Sequence, residues 1–174
     1  MFVRVKHKLA LSAAALVAVM GVLGVPGSAP GAAPERGLFL PGGSLGGVRI
    51  GMTKADVLRA WGNRFGRCRD CPRTTWYFNY RPFLPQGAGV GFERGRVTHV
   101  FTVWQPDDWR TSEGLVLGDP AADITRTYGP LDRRECGRYY ALVDPGVRAQ
   151  SAYYVYEDEV WGFALTVPDA SPCL

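Results

Sequence analysis

The sequence predicts an α+β fold of two tandem repeats, each a short helix followed by an antiparallel three-stranded meander, sharing one core. Three observations predict it. The stretch from Gly47 to Gly62 recurs from Gly114 to Gly129 at a constant offset of 67, with six identical positions. Four further pairs keep their character: Val48/Leu115, Ile50/Leu117, Val57/Ile124 and Trp61/Tyr128. Both stretches carry helix start and stop signals, and both are followed by β-prone runs broken by turn residues. A gap-free repeat of this kind governs the architecture, because one such unit is too small to bury its own helix. The expected layout is a signal segment over 1–33, a flexible leader over 34–47, a first repeat over 48–104, a linker over 105–112 and a second repeat over 113–174.

Each repeat opens with a short apolar piece, Val48-Arg-Ile50 or Leu115-Val-Leu117, closed by Gly51 or Gly118. Thr53 is a good N-cap, and Asp56 follows three residues on, where a carboxylate favours the helix dipole. In the second copy Asp119 takes the cap and Pro120 the first helical position. Val57, Leu58 and Trp61 share one helical face, as do Ile124 and Tyr128. Gly62 and Gly129 end the helices, and Pro130 prevents continuation. Strand-like runs then cover Thr74 to Tyr80, Gly89 to Glu93 and Arg96 to Trp104. The second copy echoes them at Arg138 to Val143, Ser151 to Tyr156 and Val160 to Val167. Asp56 and Asp123 recur because helices want them there, not because they catalyse anything.

The N-terminus reads as an export signal. Arg4, Lys6 and Lys8 precede an uncharged apolar run from Leu9 to Val25, and the small residues Ala29 and Ala33 follow. An uncleaved anchor is the alternative, in which case the chain would sit at a membrane. Without residues 1–33 the chain has 17 basic and 16 acidic residues, so the pI near 9.0 overstates its basicity. Near-neutral charge and export together argue against nucleic acid as a partner. The charge is unevenly placed: Ser44 to Trp104 has 10 basic and 3 acidic residues, Gln105 to Leu174 has 6 and 12. Such opposition can steer a partner, hold the halves together or promote head-to-tail association.

Chemistry is sparse. Four cysteines in an exported chain imply two disulfides. Pairing within each copy, Cys68 with Cys71 and Cys136 with Cys173, is the first reading; a bridge from Cys68 to Cys136 is the alternative. Cys68-Arg-Asp-Cys71 follows a helix and precedes a strand, the reverse of a thioredoxin-like context. It also lacks a second Cys-x-x-Cys to complete a zinc site. Beyond the signal segment the one histidine is His99, too few for a His-rich metal site, and no Gly-x-Ser-x-Gly elbow is present. Asp107-Asp108 and Glu157-Asp158-Glu159 read as solvated turns. No cofactor and no metal are expected, and no catalytic residue is assigned.

The helix motif Gly51-Met-Thr-Lys-Ala-Asp-Val-Leu-Arg-Ala-Trp-Gly62 resembles the Gly-Met-Thr-x-x-x-Val-x-x-x-x-Gly opening of the SmpA/OmlA superfamily. That superfamily includes an outer-membrane assembly lipoprotein and secreted beta-lactamase inhibitor proteins. The hairpin Val90-Gly-Phe-Glu-Arg-Gly-Arg-Val97 is similar to the family's strand–turn–strand. The second copy lacks the Met-Thr pair, and no inhibitory loop matches residue by residue. The resemblance implies an exported, non-catalytic binding fold.

Aromatic residues supply the remaining signal. Trp76, Phe78 and Tyr80 alternate onto one face of a strand, with Tyr77 opposite. With Phe83, Trp104, Tyr140, Tyr154 and Trp161 they form the expected binding set, since aromatics with nearby Arg make binding hot spots. The expected function is a secreted, non-enzymatic module that binds an extracellular or envelope protein through an aromatic sheet face. A cell-envelope assembly factor and an exported enzyme built on Cys68/Cys71 or His99 are the alternatives.

Overall fold

The computed structural model describes residues 36–67, 74–78, 87–104 and 108–174. The expected signal segment over 1–33 lies outside these residues. The described chain is mostly β. Eight strands form one antiparallel sheet in the order β3-β4-β5-β6-β11-β10-β9-β8. They are β3 (Gly66–Arg67), β4 (Thr74–Phe78), β5 (Gly87–Glu93), β6 (Arg96–Val103), β8 (Asp132–Glu135), β9 (Tyr140–Asp144), β10 (Gln150–Tyr156) and β11 (Glu159–Thr166). A second sheet of three strands joins β1 (Arg36–Leu40), β2 (Ser44–Leu45) and β7 (Asp108–Thr111). Two eight-residue helices, α1 (Lys54–Trp61) and α2 (Ala121–Tyr128), complete the described fold.

This corrects the expected α+β arrangement of helix-plus-three-strand units. Each half contributes a helix and four strands of the large sheet, not three. The extra strands escaped the sequence because they lack apolar alternation. Asp132-Arg-Arg-Glu135 is fully exposed and charged, yet pairs in register with β9 from Asp132↔Val143 to Glu135↔Tyr140. Such a charged strand suits a sheet edge, where it deters pairing with another chain.

The leader and linker expectations change too. Arg36–Leu40, placed in a flexible leader, pairs in parallel with Asp108–Thr111, placed in a linker. Both bury aromatic side chains completely, Phe39 and Trp109. Phe39 stacks on Phe163 at 5.3 Å and meets Tyr153 edge-on at 5.7 Å. Trp109 meets Trp61 of α1 at 6.0 Å. The small sheet therefore packs beside the helices on one face of the large sheet. Gly37 is required for this approach, because a Cβ there would enter the Trp109 ring.

The helices are too short to persist alone. Thr53 caps α1 as expected: its hydroxyl accepts from the Asp56 amide at 3.2 Å, and Asp56 accepts from the Thr53 amide at 2.8 Å. Full burial of Val57 and Trp61 anchors the helix, at about 1.5–3 kcal/mol for a side chain of this kind. In α2 the cap residue is Pro120, which has no side-chain cap bond. Asp119 instead accepts from the Val116 amide at 2.8 Å, so its carboxylate holds the preceding turn.

The same backbone clamp ties each helix entrance to its hairpin. Gly51 donates to Val97 at 2.8 Å and Val97 donates to Met52 at 2.9 Å; Gly118 donates to Val160 and Val160 to Asp119, both at 2.8 Å. Both hairpins also carry a bulge one step further on, leaving Thr98 and Trp161 without a cross-strand partner in the register.

Candidate functional site

Strand alternation gives the large sheet two faces with different fates. Trp76 and Phe78 point to the helix side, at 3% and 0% exposure. There Trp76 stacks on Phe65 at 4.0 Å, and Phe78 meets Trp61 at 5.2 Å. They are core residues and offer no surface to a partner. Tyr140 also packs against this core, half-buried beneath the Arg133 guanidinium at 3.6 Å. Tyr77 points to the other side.

The helix-free face carries a second apolar cluster that includes Phe101, Val103, Ala152, Tyr154, Trp161 and Ala164, with Tyr77, Tyr139 and Tyr156 packed around it. Over the first half of the sheet, glycines of β5 make its floor. Phe101 lies over Gly89 and His99 over Gly91, with the two rings stacked at 5.1 Å. A Cβ at either glycine would collide with the ring above it. Tyr77 meets Phe101 edge-on at 6.3 Å. Trp104, at the end of β6, is 44% exposed and holds a positive φ of 56°. Its backbone N–H donates to Trp161 at 2.7 Å, which fixes the turn that presents the indole.

Over the second half, the chain's own C-terminal residues cross the same face. Val167 donates its N–H to Thr98 at 2.9 Å, and the segment then turns back across β11 and β10. The Tyr154 hydroxyl donates to the Pro172 carbonyl at 2.6 Å, and the Gln150 amide donates to the Ala170 carbonyl. The Leu174 N–H donates to the Tyr139 hydroxyl at 2.7 Å. Cys173 is bonded to Cys136, the pairing expected within the second half. Ala141, Ala152 and Ala164 are fully buried in the apolar cluster of this face. Clefts of about 490 and 500 Å³ flank it, one bordered by His99 and Arg94, the other by Glu135 and Gln150.

The expected aromatic set is thus split. Trp76, Phe78 and Tyr140 belong to the helix side; Tyr154 and Trp161 belong to the helix-free face but are 0% and 8% exposed. Trp104 is the one described member with a large exposed area. Tyr80, Phe83, Cys68 and Cys71 lie outside the described residues. Tyr77, His99 and Phe101, which are not in the expected set, share the helix-free face with Tyr154 and Trp161. Alternation sets Tyr77 opposite Trp76 and Phe78, and it is Tyr77 that lies on the face away from the helices.

The shifted groups among the described residues are tyrosines, capping or surface carboxylates and Arg133. Burial raises the Tyr154 phenol well above its ordinary value, and burial raises Tyr139 as well, so both remain protonated hydrogen-bonding groups. Asp56 is lowered by its bonds with Thr53 and by Arg59, as a capping carboxylate is. Tyr128 is pushed up to about 12 by burial and by Glu113, whose carboxylate accepts its hydroxyl at 2.6 Å. Among the described residues no three or more His, Cys, Asp and Glu side chains gather as a metal site. Nor is any described helix long and apolar enough to cross a membrane.

Fold and site together define a mostly β protein whose large sheet is packed by helices on one face and by its own tail on the other. No family model and no curated protein matches the sequence. Among solved structures, it is similar to an extracellular protein containing an SCP domain from Bacillus anthracis str. Ames. That match has 13% identity and a TM-score of 0.49, over 68% of this chain and 44% of the other. It is also similar to the uncharacterized protein YfeY from Escherichia coli, at 11% identity and a TM-score of 0.45, over 78% of this chain and 99% of that one. The chain spans under half the length of the SCP-domain protein.

Proposed function

We propose that the chain is an exported, non-catalytic module that binds another protein by holding an extended segment against its helix-free sheet face. The strap supports this reading most directly. On that face, Tyr154 and Gln150 bond to main-chain carbonyls, and such contacts can hold an extended chain whatever its side chains. The adjoining half-buried Tyr77 and His99, with buried Phe101 packed against both and exposed Trp104 at the rim, supply the aromatic anchors such binding uses. Export is supported by the signal-like N-terminus and by the Cys136–Cys173 disulfide. The resemblance of the Gly51-Met-Thr53 helix opening to secreted inhibitor proteins points the same way. The thiol-enzyme alternative rests on Cys68 and Cys71, which lie outside the described residues.

A photo-crosslinking residue at Tyr77 or Trp104 tests the reading in the producing cell. Crosslinks to one exported or envelope protein are expected there and not from Leu58, which is exposed on helix α1. Trp104→Ala should weaken binding of that protein at least about tenfold, the scale of an aromatic hot spot. Equal crosslinking from both faces, or none from either, refutes the proposal. Recovery of the chain in the membrane fraction would favour the envelope assembly factor over a free module.

A further inference from the structure

The two central hairpins of the large sheet occupy matching places in the two halves and carry opposite charge. The first turns through Arg94-Gly95 into Arg96; the second turns through Glu157-Asp158 into Glu159. Every one of these residues is exposed. The clamps at Val97 and Val160 put Arg96 where Glu159 stands, each bridged to its helix entrance, Thr53 or Pro120. Arg94 and Glu157 share the same left-handed turn position, with φ of 49° and 48°. Because β6 and β11 are antiparallel neighbours, the tips project from opposite ends of the sheet, about 30 Å apart at the strand rise per residue.

The basic end is reinforced by a further cation, and the acidic end faces one. Lys54 joins the basic tip, its Nζ 5.5 Å from the Phe92 ring, against the single acid Glu93 on that turn. At the acidic tip the nearby cation is Arg138, felt at Tyr156. Among the described residues none of Arg94, Arg96, Glu157, Asp158 and Glu159 forms an ion pair, whereas other charged pairs on the surface do. The unpaired surplus at one end is the complement of the surplus at the other.

We propose that the basic tip is a docking surface for the acidic tip of a second copy of this chain. The contact is heterologous, joining different surfaces of the two molecules. Its acidic side touches neither the strap nor the clefts beside it; on its basic side Arg94 borders one of those clefts and Arg96 does not. Exposed charges of this kind act at short range, within a Debye length of about 10 Å at 0.1 M salt.

Sedimentation of the purified chain, with charge-reversed variants, tests this. The average mass should rise with concentration, and association should weaken at least tenfold between about 50 mM and about 500 mM NaCl. R94E/R96E and E157R/E159R should each sediment as monomers, the first with two acidic tips and the second with two basic ones. An equal mixture of the two variants should associate again at low salt. Near-UV circular dichroism of each variant, matched to that of the parent chain, shows that it is folded. A monomeric wild-type chain at low salt, or a mixture that stays monomeric, overturns the proposal. So does association of either variant alone at wild-type strength.

Discussion

Replacing Cys136 and Cys173 together by Ser should loosen the C-terminal strap and cost the whole molecule stability. The bridge joins residues 37 apart. In the chain-entropy treatment, a loop of that length restrains the unfolded chain by about 4 kcal/mol at 25 °C. The native state keeps the bonds from Tyr154 to Pro172 and from Gln150 to Ala170, so the fold should survive with the tail less firmly held. Urea unfolding reads the effect. With a slope of about 1–3 kcal/mol/M, the midpoint should fall by more than about 1 M. Tyr154→Phe separates the two contributions, since it deletes only the phenol bond and should cost about 1 kcal/mol. An unchanged midpoint in the double Ser variant refutes the loop argument. A loss from Tyr154→Phe as large as that from the disulfide would mean that the phenol, not the bridge, secures the strap.

Other residues give sharper local tests. Gly89→Ala should cost about 1–3 kcal/mol, because its Cβ would collide with the Phe101 ring, while Gly66→Ala meets nothing nearer than 4.0 Å and should be close to neutral. Denaturation midpoints of the two variants decide it, and equal losses would remove the ring-on-glycine account. Thr53→Ala should cost about 1 kcal/mol through its lost cap. Asp56, whose folded pKa is lowered chiefly by Thr53, contributes stability above the unfolded carboxyl value that fades as pH falls through its folded value; Asp56→Asn should flatten that acid limb. Tyr128 is raised to about 12 by burial and Glu113, against about 10 in an unfolded chain. The folded state therefore binds more protons between those values, and stability should drop as pH rises through them. Tyr128→Phe should remove that part of the alkaline limb, and an unaltered limb refutes the assignment.

The local signals were more legible than the assembly. Thr53, Asp56 and Gly62 mark one helix because capping depends on neighbours a few residues away. β5 and β6 show β-prone residues around a turn at Arg94-Gly95. What could not be seen was pairing between distant segments. Arg36–Leu40 is Gly- and Pro-flanked and looks like a leader until Asp108–Thr111 lies beside it in parallel. Asp132–Glu135 looks like a loop because its stability comes from a neighbour's backbone, with no side chain of its own buried. The aromatic set is divided between two faces for a related reason: alternation separates Trp76 from Tyr77, but only the position of α1 and the small sheet decides which is inside.

The two halves share a backbone frame and divide one packing problem in opposite ways. Just before each bulge, a ring lies over a glycine on the neighbouring strand: His99 of β6 over Gly91 of β5, and Tyr154 of β10 over Gly162 of β11. The ring has changed strands between the halves. Placing both rings in one half would overfill the site, since a Cβ at Gly91 would run into the His99 imidazole. Gly91→Tyr alone should therefore be strongly destabilising. Combined with His99→Gly it would recreate the second half's arrangement within the first. The double variant should then be more stable than Gly91→Tyr, with a coupling of about 0.5–3 kcal/mol in a thermodynamic cycle. Simple additivity of the two losses would show that the rings do not compete for one space. A recovered double variant would also move the aromatic ring from the strand beside β11 to the strand beside β4, away from the strap. Binding at the helix-free face, measured on that variant, then reports whether the ring at position 99 must rise from β6 to meet a partner.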